Sequence, residues 1–280
     1  MRKIKSFDDA KVNYDIKRLK SDYFLVFIHG AGGNLTAWKK ERQYFHKKGI
    51  STLAIDLRGH GLSGRPRQLS DYGLDNFAKD LHAILEKEKI RNFILIAHCF
   101  GGMIAMKFEE LYPNLAKAFV FVDTAAKAPH RLRAFMFFNS PILPILNFIL
   151  KNRLMTKTDL EHCNYKKFIN SGDWNLRRMY ADISHTSLRS WIFTYQNLAH
   201  FDGREVLKKI NVPALIIHGE KDRIFDAAEA KEINDLIHES TLDILPGTSH
   251  VIVLNDPDIL CERIYNFIES DRVKVYKVTK

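Results

Sequence analysis

The chain has 280 residues, of which 46% are hydrophobic, and its formal net charge is +10. This length and composition suffice for a full hydrophobic core and exclude an intrinsically disordered protein. The three cysteines lack the paired spacing of a zinc site or a disulfide framework, which favours a reducing compartment. The charged N-terminus lacks a signal-peptide pattern and no apolar run is long enough to span a bilayer, so we expect a soluble cytoplasmic protein.

Strands and helices are predicted in alternation along most of the chain. Val12, Tyr14 and Ile16 alternate with polar residues, which is typical of a half-exposed antiparallel strand. Short continuous apolar runs, which are typical of buried strands in a parallel sheet, follow at 23–28, 92–97, 118–122 and 214–217. Helical patterns occur at 37–48, 74–85, 103–111 and 257–269. The alternation predicts an α/β protein with a doubly wound, mostly parallel sheet.

The interval 124–202 breaks this alternation, because it contains no buried-strand pattern. We interpret it as a mainly helical cap inserted into a core formed by 1–123 and 203–280. Within it, 134–150 is strongly apolar, but Pro141 and Pro144 exclude one long helix there. These apolar side chains either pack the cap onto the core or line a pocket beneath it.

The stretch AHCFGG, residues 97–102, has the features of a nucleophile held on a sharp turn between a strand and a helix. Such a turn requires small residues two positions before and after the nucleophile, and Ala97 and Gly101 meet this requirement. A predicted strand precedes Cys99 and a predicted helix follows it. An isolated cysteine in an apolar stretch is more often a small buried hydrophobe, so the remaining motifs decide between the two interpretations.

Further motifs stand at fixed places relative to the predicted strands. HGAGG (29–33) follows the first apolar strand, DLRGHGLS occupies 56–63, HGEKD (218–222) follows the last apolar strand, and PGTSH occupies 246–250. Together with AHCFGG, these motifs resemble those of the α/β-hydrolase superfamily in spacing and order, over nearly the whole chain outside 124–202. The chain departs from the usual elbow in having Ala97 for the first Gly and Cys99 for Ser.

The resemblance implies a role for each motif. Cys99 would be the nucleophile, His250 the base and Asp222 the acid, an order that matches this fold. The backbone N–H groups of Ala31 and Phe100 would form the oxyanion hole. Asp123, at the end of the predicted strand 118–122, is an alternative acid, because some family members take their acid from that position. The 56–63 motif would be structural, and no metal or cofactor is required.

The resemblance also implies an activity. A thiol has a pKa of about 8.5, which a helix N-terminus and an imidazole lower further, so Cys99 can attack as a thiolate. We expect hydrolysis of carboxylic esters or thioesters of apolar acyl groups through an acyl-cysteine. An acyltransferase using the same intermediate and a non-catalytic ligand-binding module on the same fold are the alternatives. Cys99 is either the natural nucleophile of this protein or an engineered replacement of a natural serine, and both alternatives stay open.

The positive charge is concentrated in the predicted cap, where residues 125–200 contain eleven Lys or Arg against four Asp or Glu. A solvated surface is the commoner use of such an excess. If this positive charge lay over an apolar pocket, it would also favour acyl groups on an anionic carrier, such as coenzyme A, an acidic carrier protein or an anionic lipid surface. The basic residues accompany no aromatic stacking motif, so nucleic acid is not a predicted partner.

Overall fold

The structure is a computed structural model that describes residues 1–128, 142–151 and 161–277. Eight strands form one sheet in the order β1-β2-β4-β3-β5-β6-β7-β8. The strands are β1 (Arg2–Lys5), β2 (Lys11–Lys17), β3 (Phe24–Ile28), β4 (Ser51–Asp56), β5 (Phe93–His98), β6 (Ala118–Val122), β7 (Ala214–Gly219) and β8 (Ser240–Leu245). This is the predicted α/β-hydrolase fold.

The sheet is parallel except at one edge. β2 pairs antiparallel with β1 and with β4, and all other neighbours pair parallel. The five predicted strands are confirmed as β2, β3, β5, β6 and β7. Three strands were not predicted, because β4 (STLAID) and β8 (STLDIL) mix polar with apolar residues and β1 (RKIK) is a charged edge strand.

Helices cover both faces of the sheet. They are α1 (Lys39–Lys47), α2 (Leu74–Lys87), α3 (Phe100–Leu111), α4 (Ile142–Leu150), α5 (Leu176–Thr186), α6 (Leu188–Leu198), α7 (Arg204–Leu207), α8 (Ala227–Leu236), α9 (Ile252–Asn255), α10 (Pro257–Glu269) and α11 (Asp271–Lys277). One buried cluster contains the apolar faces of α2 and α3, and the other contains those of α1 and α10. Side chains of β3 alternate between them, with Val26 in the first and Phe27 in the second.

Between β6 and β7 lies a long insertion that leaves and rejoins the core at one point. The N–H of Ala128 donates to the carbonyl of Phe201 at 3.0 Å, and the N–H of Gly203 donates to that of Ala126 at 2.7 Å. The described part of the insertion contains α4, α5 and α6 and no strand. Of the predicted stretch 134–150, residues 134–141 lie outside the described residues. Pro144 falls in the first turn of α4, where its missing N–H costs no helical hydrogen bond.

Membrane-spanning elements are absent from the residues that the structure describes. None of their helices combines the length and the apolar character that crossing a bilayer requires.

Candidate active site

The turn from β5 into α3 holds Cys99 in a strained conformation. Its φ and ψ are 53° and −118°, a combination that non-glycine residues rarely adopt. A side chain at Gly101 would bring its Cβ within 2.6 Å of the Ile28 carbonyl oxygen, so only glycine fits there. The strained turn projects Cys99 out of the core, and its side chain is partly exposed while Cys163 and Cys261 are buried.

His250 and Asp222 lie beside Cys99 on loops that follow β8 and β7. His250 Nδ1 and Asp222 Oδ2 are 2.8 Å apart, and the His250 ring is close enough to Cys99 for the two side chains to interact electrostatically. The other carboxylate oxygen of Asp222 accepts the backbone N–H groups of Ile224 at 2.7 Å and Phe225 at 3.0 Å. The structure thus brings the three predicted side chains together in one row.

The charges in this row favour an ion pair. Burial by itself lowers the pKa of His250, but the Cys99 thiolate and the hydrogen bonds to Asp222 and Cys99 outweigh it and raise that pKa well above its ordinary value. Burial raises the pKa of Asp222, whereas its hydrogen bonds to His250 and to two backbone N–H groups lower it, with a lowered pKa as the result. The His250–Asp222 pair can therefore hold an imidazolium and a carboxylate together.

Asp123, the alternative acid, lies nearby in a different environment. Its Oδ1 accepts the N–H of Gly219 at 2.8 Å, and its Oδ2 is buried with no hydrogen-bond partner in the described part of the chain. Burial raises the pKa of Asp123 well above its ordinary value, so a proton is retained there. Asp222, and not Asp123, makes the hydrogen bond with His250.

Two further histidines, whose motifs indicate a structural role, support the site through contacts with the backbone. His98 Nε2 donates to the backbone carbonyl of His250 at 2.9 Å, which fixes the loop that carries the base. Burial lowers the pKa of His98 to about 3, so the ring is neutral. His29 Nδ1 donates to the Gly30 carbonyl at 2.7 Å, and its Nε2 accepts the N–H of Leu57 at 3.1 Å. Only contacts between distant segments reveal these roles.

The HGAGG loop packs directly on the nucleophile turn. A Cβ at Gly30 would lie 3.1 Å from Cys99 Cβ and 3.1 Å from His98 Nδ1, which is tighter than ordinary packing. Ala31 and Phe100 both line the pocket that Cys99 faces. The Phe100 N–H belongs to the first turn of α3, where backbone donors have no intrahelical acceptor. Both residues of the predicted oxyanion hole thus line the same pocket as Cys99.

Cys99 and His250 lie in the wall of a pocket of about 420 Å³. The lining is mostly apolar and aromatic, and includes Trp38, Met103 and Phe225 from the core. The insertion contributes both apolar and polar side chains that the sequence analysis did not identify, namely Trp174, Arg178, Met179, Asp182, Ile183, Trp191 and Tyr195. No sequence motif identifies these residues, because they come together at the site only when the insertion folds.

Two groups of side chains around Asp123 have the residue types of a metal site. The ligand atoms of His98, Asp123 and His250 lie within 4.8 Å of one another, as do those of Asp123, His218 and Asp222. Several of these atoms are already used, since His98 Nε2 bonds to a backbone carbonyl and His250 Nδ1 bonds to Asp222. Those hydrogen bonds involve the first group and Asp222, whereas Asp123 Oδ2 and His218 Nδ1 in the second group are buried without a hydrogen-bond partner among the described residues.

A strained cysteine turn, a bonded His–Asp pair and a glycine-rich donor loop on this sheet are features of the α/β-hydrolase fold. The sequence model of the α/β-hydrolase fold family matches residues 23–257, and the chain belongs to this family.

Relatives and solved structures resemble the chain over most of its length. Protein ABHD8 of Bos taurus is 23% identical, over 90% of this chain and 57% of that protein, so the chain spans little more than half of this relative. The non-heme chloroperoxidase of Burkholderia pyrrocinia is 29% identical, over 94% of this chain and 98% of its own. The structure of the esterase EaEST from Exiguobacterium antarcticum superposes with a TM-score of 0.75 at 18% identity, covering 96% of this chain and 99% of the esterase.

Proposed function

We propose that the protein hydrolyses carboxylic esters or thioesters of apolar acyl groups. One observation carries the proposal: His250 is hydrogen-bonded to Asp222 and interacts with Cys99 in the wall of a mostly apolar pocket. A nucleophile with a base that is oriented by a third group is the arrangement used for acyl transfer. Because the fold hosts many chemistries, the proposal is based on these side chains and not on the names of relatives.

The geometry supports a two-stage reaction. The Cys99 thiolate attacks the acyl carbonyl carbon, and the N–H groups of Ala31 and Phe100 stabilise the oxyanion. The carbonyl re-forms as the bond to the alcohol or thiol breaks, and His250 donates a proton to that leaving group. Water then attacks the acyl-cysteine while His250 accepts a proton from it. The carboxylic acid departs and the thiolate returns, with Asp222 orienting the imidazole in both stages.

We also propose that the acyl group arrives on an anionic carrier in the cytoplasm. Arg223 lines the pocket and is exposed, and Trp174 lines it with 59% of its surface exposed. Next to Trp174 along the chain, Leu176 is 78% exposed and Arg177 is exposed. Cationic and apolar groups together at a pocket entrance favour an anionic amphiphile, such as an acyl-coenzyme A or an anionic lipid surface.

Intact-protein mass spectrometry tests the nucleophile. We expect that mixing the protein with p-nitrophenyl esters or acyl-coenzyme A adds the mass of one acyl group, because the thioester forms before water attacks. The adduct should map to Cys99 and disappear in Cys99→Ala. The matched control is Cys163→Ala, since the Cys163 thiol is buried and burial raises its pKa to about 12.

The decay of the adduct separates the alternatives. Release in buffer alone supports the hydrolase, whereas release only after an alcohol, thiol or amine is added would identify an acyltransferase. Ligand binding without any adduct or turnover would contradict the proposal and favour a binding module.

A further inference from the structure

Asp182, on α5 of the insertion, places a carboxyl group in the wall of the pocket that contains Cys99. A Cβ at Gly32 would lie 3.1 Å from Asp182 Cβ, as a Cβ at Gly30 would lie 3.1 Å from Cys99 Cβ. These two glycines are two positions apart in one loop, so their Cα atoms are separated by at most about 7 Å. The same short loop therefore packs against both Cys99 and Asp182, and both side chains line one pocket.

Only one of the two carboxyl oxygens of Asp182 accepts a hydrogen bond from a described residue. Its Oδ1 accepts the hydroxyl of Tyr165 at 3.3 Å, and that hydroxyl in turn accepts Asn34 Nδ2 at 3.4 Å. Its Oδ2 makes no hydrogen bond with any residue that the structure describes. The carboxyl group is thus held from the insertion side and retains a free acceptor in an otherwise mostly apolar pocket.

The neighbours of Asp182 leave this acceptor available. Arg178, one turn earlier on α5, donates to the backbone carbonyl of Asp173 at 2.5 Å and forms no ion pair with Asp182. The Tyr195 hydroxyl also has no hydrogen-bond partner among the described residues. Burial and the negative charges of Cys99 and Asp182 raise the pKa of Tyr195, which indicates that its hydroxyl is near both groups.

We propose that Asp182 selects acyl groups that carry an uncharged hydrogen-bond donor, a hydroxyl or an amide N–H, close to the carbonyl that Cys99 attacks. This inference rests on the proposed acyl chemistry and narrows its substrate class. A substrate with a hydrogen-bond donor can pair with this acceptor in the desolvated pocket. An analogue without the donor leaves the acceptor unpaired, which costs free energy and weakens its binding. A cationic group is disfavoured, because the Arg178 guanidinium lines the same pocket.

The protonation state of Asp182 supplies a second signature. Burial raises the pKa of Asp182 to about 7, against the opposing effects of Arg178 and the Tyr165 hydrogen bond. The carboxylate accepts from a hydroxyl, whereas the carboxylic acid can also donate to a ketone. The titratable and charged groups that interact electrostatically with Asp182 from the elements around it are Arg178, Tyr165, Cys163 and Tyr195.

Matched phenyl esters test the selection. We compare kcat/KM for butanoate, 3-hydroxybutanoate, 3-oxobutanoate and N-acetylglycinate esters in the wild-type protein, Asp182→Ala, Asp182→Asn and the exposed control Asp235→Asn. At pH 8 the wild-type protein and the control should prefer the hydroxyl or the amide ester to butanoate by about tenfold or more. Asp182→Ala should lose that preference, while Asp182→Asn, which keeps an acceptor oxygen, should retain part of it.

The pH profile distinguishes a direct role of Asp182 from a structural one. The ratio of the 3-oxo to the 3-hydroxy ester should fall as the pH rises through about 7 in the wild-type protein, and should not change with pH in Asp182→Asn. The inference would be overturned if Asp182→Ala preferred the hydroxyl or amide ester to butanoate as strongly as the wild-type protein does. It would also be overturned if the ratio of the 3-oxo to the 3-hydroxy ester changed with pH in Asp182→Asn. Absence of turnover and of a Cys99 adduct with every ester would instead overturn the proposed function.

Discussion

The core and the insertion contribute to one pocket, but their polar groups differ in how completely they are paired. In the core wall, His98, His250 and Asp222 bond to one another or to the backbone. In the insertion wall, Asp182 keeps a free oxygen, and Arg178 has a buried Nε without a partner in the described chain. Paired groups fix a geometry, whereas an unpaired polar group in a pocket wall is available to a ligand. On the proposed function, the core wall would carry the chemistry and the insertion wall would select the substrate.

The largest expected effect concerns the two carboxyl groups of the core. Asp222→Asn should lower kcat by about 10³- to 10⁴-fold, because the amide cannot stabilise the charged imidazole in the correct orientation. Asp123→Asn should leave kcat within about threefold of the wild-type value, because Asp123 retains its proton and does not bond to His250. Steady-state kinetics on one ester measures both. The opposite ranking would make Asp123 the acid.

An intermediate effect is expected where the core packs most tightly. Gly30→Ala should lower kcat by about ten- to a hundredfold, because the new methyl would meet Cys99 and His98 and displace the Ala31 N–H. Gly172→Ala is the matched control, since a methyl there meets nothing within 4 Å. The two variants should unfold at similar urea concentrations. Equal kcat values for them would show that the fit of the loop against Cys99 does not matter for the reaction.

The smallest expected effect concerns a buried carboxyl group of the core that has no hydrogen-bond partner. Glu41 on α1 is buried, and neither carboxyl oxygen has a partner among the described residues. Burial raises the pKa of Glu41 well above its ordinary value. The folded state therefore binds a proton that the unfolded state releases above a pH of about 4.5, so this contribution to stability is complete below that pH and is lost as the pH rises.

Glu41→Gln should remove this pH dependence. The free energy of unfolding of the variant should exceed that of the wild-type protein by about 1–3 kcal/mol at pH 8 and by little at pH 4. Urea unfolding at several pH values measures the difference, with Glu239→Gln as the exposed control. A difference that does not change with pH would mean that Glu41 has a proton-accepting partner or contact with water in solution.

The sequence predicted the parts of the molecule whose residues lie close together in the chain. The nucleophile turn depends on the small residues around Cys99, and the buried strands depend on continuous apolar runs. The two interior strands that were missed, β4 and β8, include Ser, Thr and Asp, which break such runs. Local composition was sufficient where one short segment determines its own structure.

The remainder of the site depends on segments that are far apart in the chain. His98 at the end of β5 hydrogen-bonds to the backbone of His250, and His162 in the insertion lies 2.7 Å from the buried carboxylate of Asp56 in the core. Asp182 reaches the pocket only because α5 is placed above the HGAGG loop. No spacing rule links these residues, so the motifs pointed to Cys99, Asp222 and His250 but not to the side chains of the insertion that line the same pocket.

The hydrogen bonds at the root of the insertion, between Ala126 and Gly203 and between Ala128 and Phe201, bear on how this protein can change. Because the chain re-enters the core beside the point where it left, the intervening residues can be lengthened, shortened or exchanged without altering the register of β6 against β7. Grafting a foreign insertion onto this pair of residues offers a route to new substrates, and natural divergence can use the same exchange.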